Sequence, residues 1–200
     1  LGNLAEDVKN SIKGQAHFLR AWHYFEALVY HGGVPVIKVP QSLEDDLMVP
    51  RNSSMETFNF ILEDLDNAIG LLPNQYTGDD YGRIDKAIAL AFKGRVMLYK
   101  ASPQFNPDNP YGNSYWQEAY TANSAAKQQL ESWGYGLLEN YGDLWLTEGH
   151  KEVVMPVVYN APVRVNGRSE HCVRPLSESK NCTGGDQPIW SLVNAFPMAD

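Results

Sequence analysis

Phe18-Leu19-Arg20-Ala21-Trp22-His23-Tyr24-Phe25-Glu26-Ala27-Leu28-Val29 is the stretch from which the rest of the chain can be read. Phe18, Ala21, Trp22, Phe25, Leu28 and Val29 recur at the i, i+3, i+4, i+7 spacing that lines up one face of an α-helix. The stripe belongs to a helix expected from about Leu4 to His31. Gly32-Gly33 supply residues that tolerate the left-handed backbone closing a helix, and Pro35 prevents its resumption. Val34 to Val39 reads as a short extended piece.

The following helix has the clearest boundaries. Ser53 followed by Glu56 makes a capping box, in which each side chain satisfies a backbone donor orphaned in the first turn. Phe58, Ile61, Leu62, Leu65, Ala68 and Leu72 then hold the period until Pro73 stops it. A third helix is expected over roughly Ile84 to Ala101. Ile88, Phe92, Val96, Leu98 and Tyr99 make it apolar nearly all round, as in a helix buried between neighbours. The turn-rich stretch Ser102 to Tyr115, with Pro103, Pro107 and Pro110, separates it from a fourth helix. That one opens at Ser114 with Gln117 as capping partner, runs through Trp116, Ala119, Ala126, Leu130 and Trp133, and closes at Gly134 and Gly136.

Lys13-Gly14, Ala21 and Phe25 recur eighty positions later as Lys93-Gly94, Ala101 and Phe105. A weak internal repeat of this kind fits helix pairs whose apolar faces only a neighbouring pair can cover. The expected fold is mainly α: tetratricopeptide-like antiparallel helix pairs, with a short strand and a long irregular segment. Glu152-Val153-Val154-Met155-Pro156-Val157-Val158-Tyr159 is the strand, placed at an edge by Pro156. Asn160 to Pro188 has no sustained period, and Ile189 to Ala195 reads as a last helical turn. The chain opens without Met or a signal-like run and stops at Phe196-Pro197-Met198-Ala199-Asp200, which reads as an internal piece of a longer protein.

At 200 residues with 44% hydrophobic and 20% charged, the chain has material for a real core and is not disordered. A mean hydropathy of −0.38 and the lack of a long apolar run exclude a helical membrane span. The net charge of −8 argues against a nucleic-acid partner, which needs a basic stripe. Between Glu44 and Asp80 nine acids face one base, Arg51, a window read as a solvated face.

Chemical motifs are mostly missing. No phosphate loop, nucleophile elbow or H-E-x-x-H stands in the sequence, and no cofactor or metal is expected. His17 and His23 are six apart, off a shared helical face, and read as surface histidines. Acid pairs abound, but none is singled out for glycoside hydrolysis. Cys172 and Cys182 either close a small loop, worth about 2–4 kcal/mol in an oxidising compartment, or stand as thiols. Asn52-Ser53-Ser54 and Asn181-Cys182-Thr183 match a glycosylation acceptor. Trp, Tyr and Phe total 23, and flat rings stack on sugar faces while polar neighbours fix orientation. Trp22, Phe25, Phe58 and Trp133 lie on core stripes and read as packing. Tyr76, Tyr81, Tyr111, Tyr115 and Tyr159 lie in or beside loops, where either anchoring or a ligand contact is open.

Gly14-Gln15-Ala16-His17-Phe18-Leu19-Arg20-Ala21-Trp22-His23-Tyr24-Phe25, followed by Tyr30-His31-Gly32-Gly33-Val34-Pro35, resembles the signature of the SusD/RagB family. The resemblance continues in order through Ile61-Leu62-Glu63-Asp64-Leu65, Gly82-Arg83-Ile84, Ser102-Pro103, Trp116-Gln117-Glu118-Ala119 and Tyr141-Gly142-Asp143-Leu144-Trp145 to the terminal Leu192 to Asp200. It implies one domain over 1–200, with a helical array at 1–138 and strand, irregular loop and short terminal helix at 139–200. It also implies a non-catalytic, surface-exposed outer-membrane lipoprotein that binds an oligosaccharide or other nutrient for a TonB-dependent, SusC-like transporter. The family's lipidated Cys has no counterpart here, so a membrane anchor is implied only for a parent chain. In that frame the helices are scaffold and transporter contact, and Tyr159, Arg164, Arg168, His171 and Arg174 in the irregular segment are the candidate ligand contacts. A helical-repeat adaptor without glycan affinity, or a glycan-cleaving enzyme, fits the same helices.

Overall fold

In the computed structural model of the chain, residues 2–159 are described. They form four long helices, α1 (Glu6–His31), α2 (Ser54–Leu71), α3 (Lys86–Ala101) and α4 (Tyr115–Ser132), with a single-turn α5 (Asp143–Leu146) and a 3-10 turn at Gly78–Asp80. Two units are distinguished, Leu1–Pro156 and Val157–Asp200. In the second, only residues 157–159 are described; they are exposed and without regular structure.

Each helix packs on the next, α1 on α2, α2 on α3 and α3 on α4. The direction follows from which residues meet. Gly14 near the start of α1 faces Leu72 at the end of α2, while Tyr24 further along meets Phe60. Lys93 bonds Asp66, and the Lys86 N–H donates to Pro73 O. Asn123 reaches Gly94 O, and Asn113 reaches Ala101 O. All three junctions are therefore antiparallel, and the expected helix-pair array is what forms.

The repeat has a packing meaning. A Cβ on Gly14 would lie 2.7 Å from Leu72 Cγ, and one on Gly94 2.2 Å from Asn123 Oδ1. In both pairs the glycine lets the second helix approach the first. Ala21 and Ala101, the next repeated positions, are fully buried. The core between the helices is built on Phe18, Leu28, Phe58, Ile61, Leu65 and Val96, all fully buried, at about 1.5–3 kcal/mol for each large side chain removed from water. Phe92 joins it as a hub, stacked on Trp22 at 4.7 Å and edge-on to Phe25 at 5.3 Å between centroids.

The caps divide. Ser53 and Glu56 make both bonds of the capping box. Ser114 does not cap α4, because its backbone is already helical (φ −68°, ψ −18°). Asn113 does that work instead: its Oδ1 accepts the Tyr115 N–H at 3.2 Å, while its amide donates to Ala101 O, Asn109 O and Pro110 O. Gln117 turns to Thr121. Arg51 closes α1 by donating to His31 O and Gly33 O.

Two expectations change. Residues 152–159 are not a strand: Glu152 sits in a turn, Val153 N–H bonds back to His150 O, and no strand is assigned among the described residues. A β-branched run without a partner has no ladder to join, and Val154 packs against the helical core instead. Second, α3 is buried on two sides only, since Leu98 and Tyr99 stay 46% and 39% exposed. The piece after Val34 joins no strand among the described residues. It is held by side chains, with Val36 N–H donating to Asn52 Oδ1 at 2.9 Å and Ile37 N–H to Tyr24 Oη at 2.8 Å. Asn52 is thus a structural clamp. The irregular 160–188 segment, its cysteines and the expected terminal helix lie outside the described residues.

Candidate functional site

The charged cluster that the sequence placed on the surface has one member inside. Asp64 on α2 is 1% exposed and takes the Arg20 guanidinium in a fork, Nε to Oδ2 and Nη2 to Oδ1, both at 2.7 Å. His17 Nδ1 lies 2.7 Å from the same carboxylate. Arg20 also donates to Lys38 O at 3.2 Å and lies over the Phe60 ring at 5.0 Å. The bond to Asp64 raises the already high Arg20 pKa. With its forked bonds made, this network ties α1, α2 and the segment after Val34 together; it is scaffold, and His17 is not the surface histidine expected.

A different arrangement forms at the end of the array where α2 and α4 finish and α3 begins. Three separate segments converge there. The α2–α3 loop brings Gln75, Tyr76, Thr77 and Tyr81; the exit of α4 brings Trp133, Gly134 and Tyr135; and the returning chain brings Gly149, His150 and Lys151. They enclose a cavity of about 170 Å³. Gly134, at φ +91°, permits the reversal that sets Trp133 and Tyr135 on the cavity wall.

Each segment is pinned. Asp85 caps α3 by accepting the Ile88 N–H at 3.0 Å, and its second oxygen accepts the Tyr76 N–H at 3.3 Å. Burial pushes its carboxyl above the ordinary value, while these bonds pull the other way. Tyr135 is likewise pushed up by burial, opposed by a hydrogen bond with Gln75. Gly136 N–H donates to Lys151 O at 3.1 Å, and Leu138 N–H to Glu152 Oε2 at 3.0 Å. His150 accepts the Glu152 N–H at Nδ1, which leaves Nε2 to donate to Leu144 O. Both ring nitrogens are thereby used in holding the turn.

A second cleft, of about 550 Å³, lies on the other side of the same loop, between Val8, Ile12, Leu71 and Arg83. Tyr76 lines both. Its hydroxyl bonds Ser11, and Arg83, paired with Asp80 at 2.7 Å, lies 5.4 Å from its ring centre.

Tyr76 and Tyr81, two of the loop tyrosines singled out in the sequence, thus meet in one cavity. Tyr111 is 83% exposed and away from it, and Tyr115 carries the Lys100 ammonium at 4.5 Å. Tyr159 is exposed in the second unit. Arg164, Arg168, His171 and Arg174 lie outside the described residues. Trp133, read as core, is instead half-buried on the cavity wall. No Asp or Glu lines this cavity, so it does not hold the carboxylate pair of glycoside hydrolysis. Aromatic walls with a few hydrogen-bonding groups and one lysine, Lys151, suit binding.

A stack of antiparallel helix pairs that gathers aromatic loops at one end defines a class of helical-array proteins. The family described as "Starch-binding associating with outer membrane", SusD-like, matches residues 2–98. The chain is 34% identical over 90 residues to a SusD-like protein of Formosa agariphila, covering 43% of this chain and 17% of the relative. It is 29% identical over 144 residues to a SusD-like protein of Bacteroides ovatus, covering 72% and 25%. Its fold matches the crystal structure of a SusD-like protein from Bacteroides fragilis with a TM-score of 0.66 and 30% identity, over 80% of this chain and 29% of the other. Over residues 2–98 the chain is similar to the SusD-like family. It spans a quarter or less of the length of these two relatives.

Proposed function

We propose that this chain is part of a non-catalytic glycan-binding protein at the outer-membrane surface, which captures an oligosaccharide and passes it to a TonB-dependent, SusC-like transporter. The family match across residues 2–98 carries the reading. The aromatic cavity free of carboxylates supports it. In this reading the helices are the rigid frame and the loops at their ends face the ligand. Tyr159, Arg164, Arg168, His171 and Arg174 are proposed as further contacts; a full-length Arg164→Ala/Arg168→Ala variant with unchanged glycan affinity removes those two.

The test is retention of the full-length protein on immobilised polysaccharides, paired with a reducing-sugar assay on the same glycans. Retention without release of reducing ends is the expected result. Release of reducing ends contradicts the non-catalytic reading, and retention on none contradicts glycan binding. Co-purification of the transporter with tagged full-length protein from membranes tests delivery.

A further inference from the structure

We propose that the cavity between Tyr76, Tyr81, Trp133 and Tyr135 is a subsite for one neutral sugar ring, with Trp133 and Tyr81 as stacking faces and Gln75 and Thr77 as the hydrogen-bonding edge. The proposal rests on the glycan-binding reading above and adds to it the residues and the charge class of the ligand.

Size comes first. At about 170 Å³ the cavity is smaller than the roughly 300–1,000 Å³ of pockets that take drug-sized ligands, so it suits a single ring of a longer chain.

Ring faces are the second observation. The aromatics of the core are consumed by one another, as in Trp22 on Phe92 and Phe25 on Tyr99, and Tyr76 carries Arg83. Among the described residues, Trp133, Tyr81 and Tyr135 pair with no ring and carry no cation. Tyr81 is 41% exposed beside Gly149, whose Cβ position would lie 3.6 Å from the Tyr81 hydroxyl.

Preorganisation is the third. Asp85 fixes the loop at Tyr76, the Gly136–Lys151 bond fixes the two remaining walls, and His150 spends both nitrogens on its own turn. A ligand then orders little on arrival.

Charge selects the class. Lys151 is the one cation of the wall, against Asp79 and Asp80 next to Tyr81 in the loop, Asp85 on the Tyr76 N–H and Glu152 following Lys151, while Arg83 is already paired with Asp80. An anionic sugar meets net repulsion there, in a chain of net charge −8.

Calorimetric titration of the full-length protein with oligosaccharides of starch, laminarin, xylan and mannan, and with oligogalacturonate as the anionic counterpart, tests this. At least one neutral oligosaccharide is expected to bind, and oligogalacturonate is not. Trp133→Ala and Tyr81→Ala should each weaken that binding by about tenfold or more, as aromatic anchors do, while Tyr111→Ala stays within about twofold. Because Trp133→Ala also removes packing, the exposed Tyr81 gives the second, independent variant, and a cooperative thermal melt shows that each is folded. Undiminished affinity in both variants overturns the subsite and leaves glycan binding standing. Preference for oligogalacturonate overturns the charge class. Binding of no oligosaccharide by the unaltered protein overturns the subsite and the glycan-binding reading together.

Discussion

Asp64 is one of nine acids between Glu44 and Asp80, and the only one of the nine that is buried. Its burial is tolerable because Arg20 and His17 reach it from α1. Nothing in the spacing of α2 marks Asp64 off from Glu63 or Asp66; the pairing depends on residues forty-four and more positions away, which periodicity does not encode. Asp64→Ala should cost about 3 kcal/mol, the low end for breaking a buried pair, since Arg20 keeps some access to solvent. Urea unfolding measures it, and a loss below about 1 kcal/mol would place the network among weak surface pairs. Asp85 makes a pH prediction. Its folded pKa is raised by burial, so its contribution is fullest below the ordinary carboxylate value and falls as pH rises through the raised one. Glu56 works oppositely: its pKa is lowered by the bonds to Ser53, so its contribution is present at neutral pH and fades as pH falls through that lowered value. Comparing native protein with Asp85→Asn from pH 3.5 upward isolates the first group. The native protein's advantage over the variant should shrink as pH rises.

At the scale of elements, local rules explain most of what forms. The stripes of α1 and α2, the Ser53 box and the stop at Pro73 all depend on neighbours within a turn or two, and each is present as read. Where the outcome hangs on a partner from elsewhere, the reading changes. Residues 152–159 have strand composition but no neighbouring strand among the described residues. Ser114 has cap chemistry, yet Asn113, anchored on the end of α3, takes the position first. The repeated glycines give a sharp test. Gly→Ala inside a helix ordinarily gains about 1 kcal/mol, but at Gly94 the new methyl meets Asn123, which holds Gly94 O and Ala119 O. Gly94→Ala should therefore destabilise by about 1–3 kcal/mol, whereas Gly70→Ala, with open space at its Cβ, should stabilise. Thermal melts of the two variants should move in opposite directions.

For the whole molecule, the array was legible because each helix announces itself and the repeat supplies the pairing. The cavity was not, because its walls come from residues 75–81, 133–135 and 149–151, and only the antiparallel packing brings them to one end. Trp133 shows the difficulty: it completes the stripe of α4, but the reversal at Gly134 carries it to the rim. In the proposed reading a helix-pair frame presents glycan-binding loops at that end. Native affinity electrophoresis of the full-length protein, unaltered and as Tyr81→Ala, through gels containing starch, laminarin, xylan or mannan tests it most directly. Retardation of the unaltered protein by at least one of these gels, with recovery of mobility in the variant, is the expected result. Equal mobility of the unaltered protein in every gel, with or without polysaccharide, would contradict it.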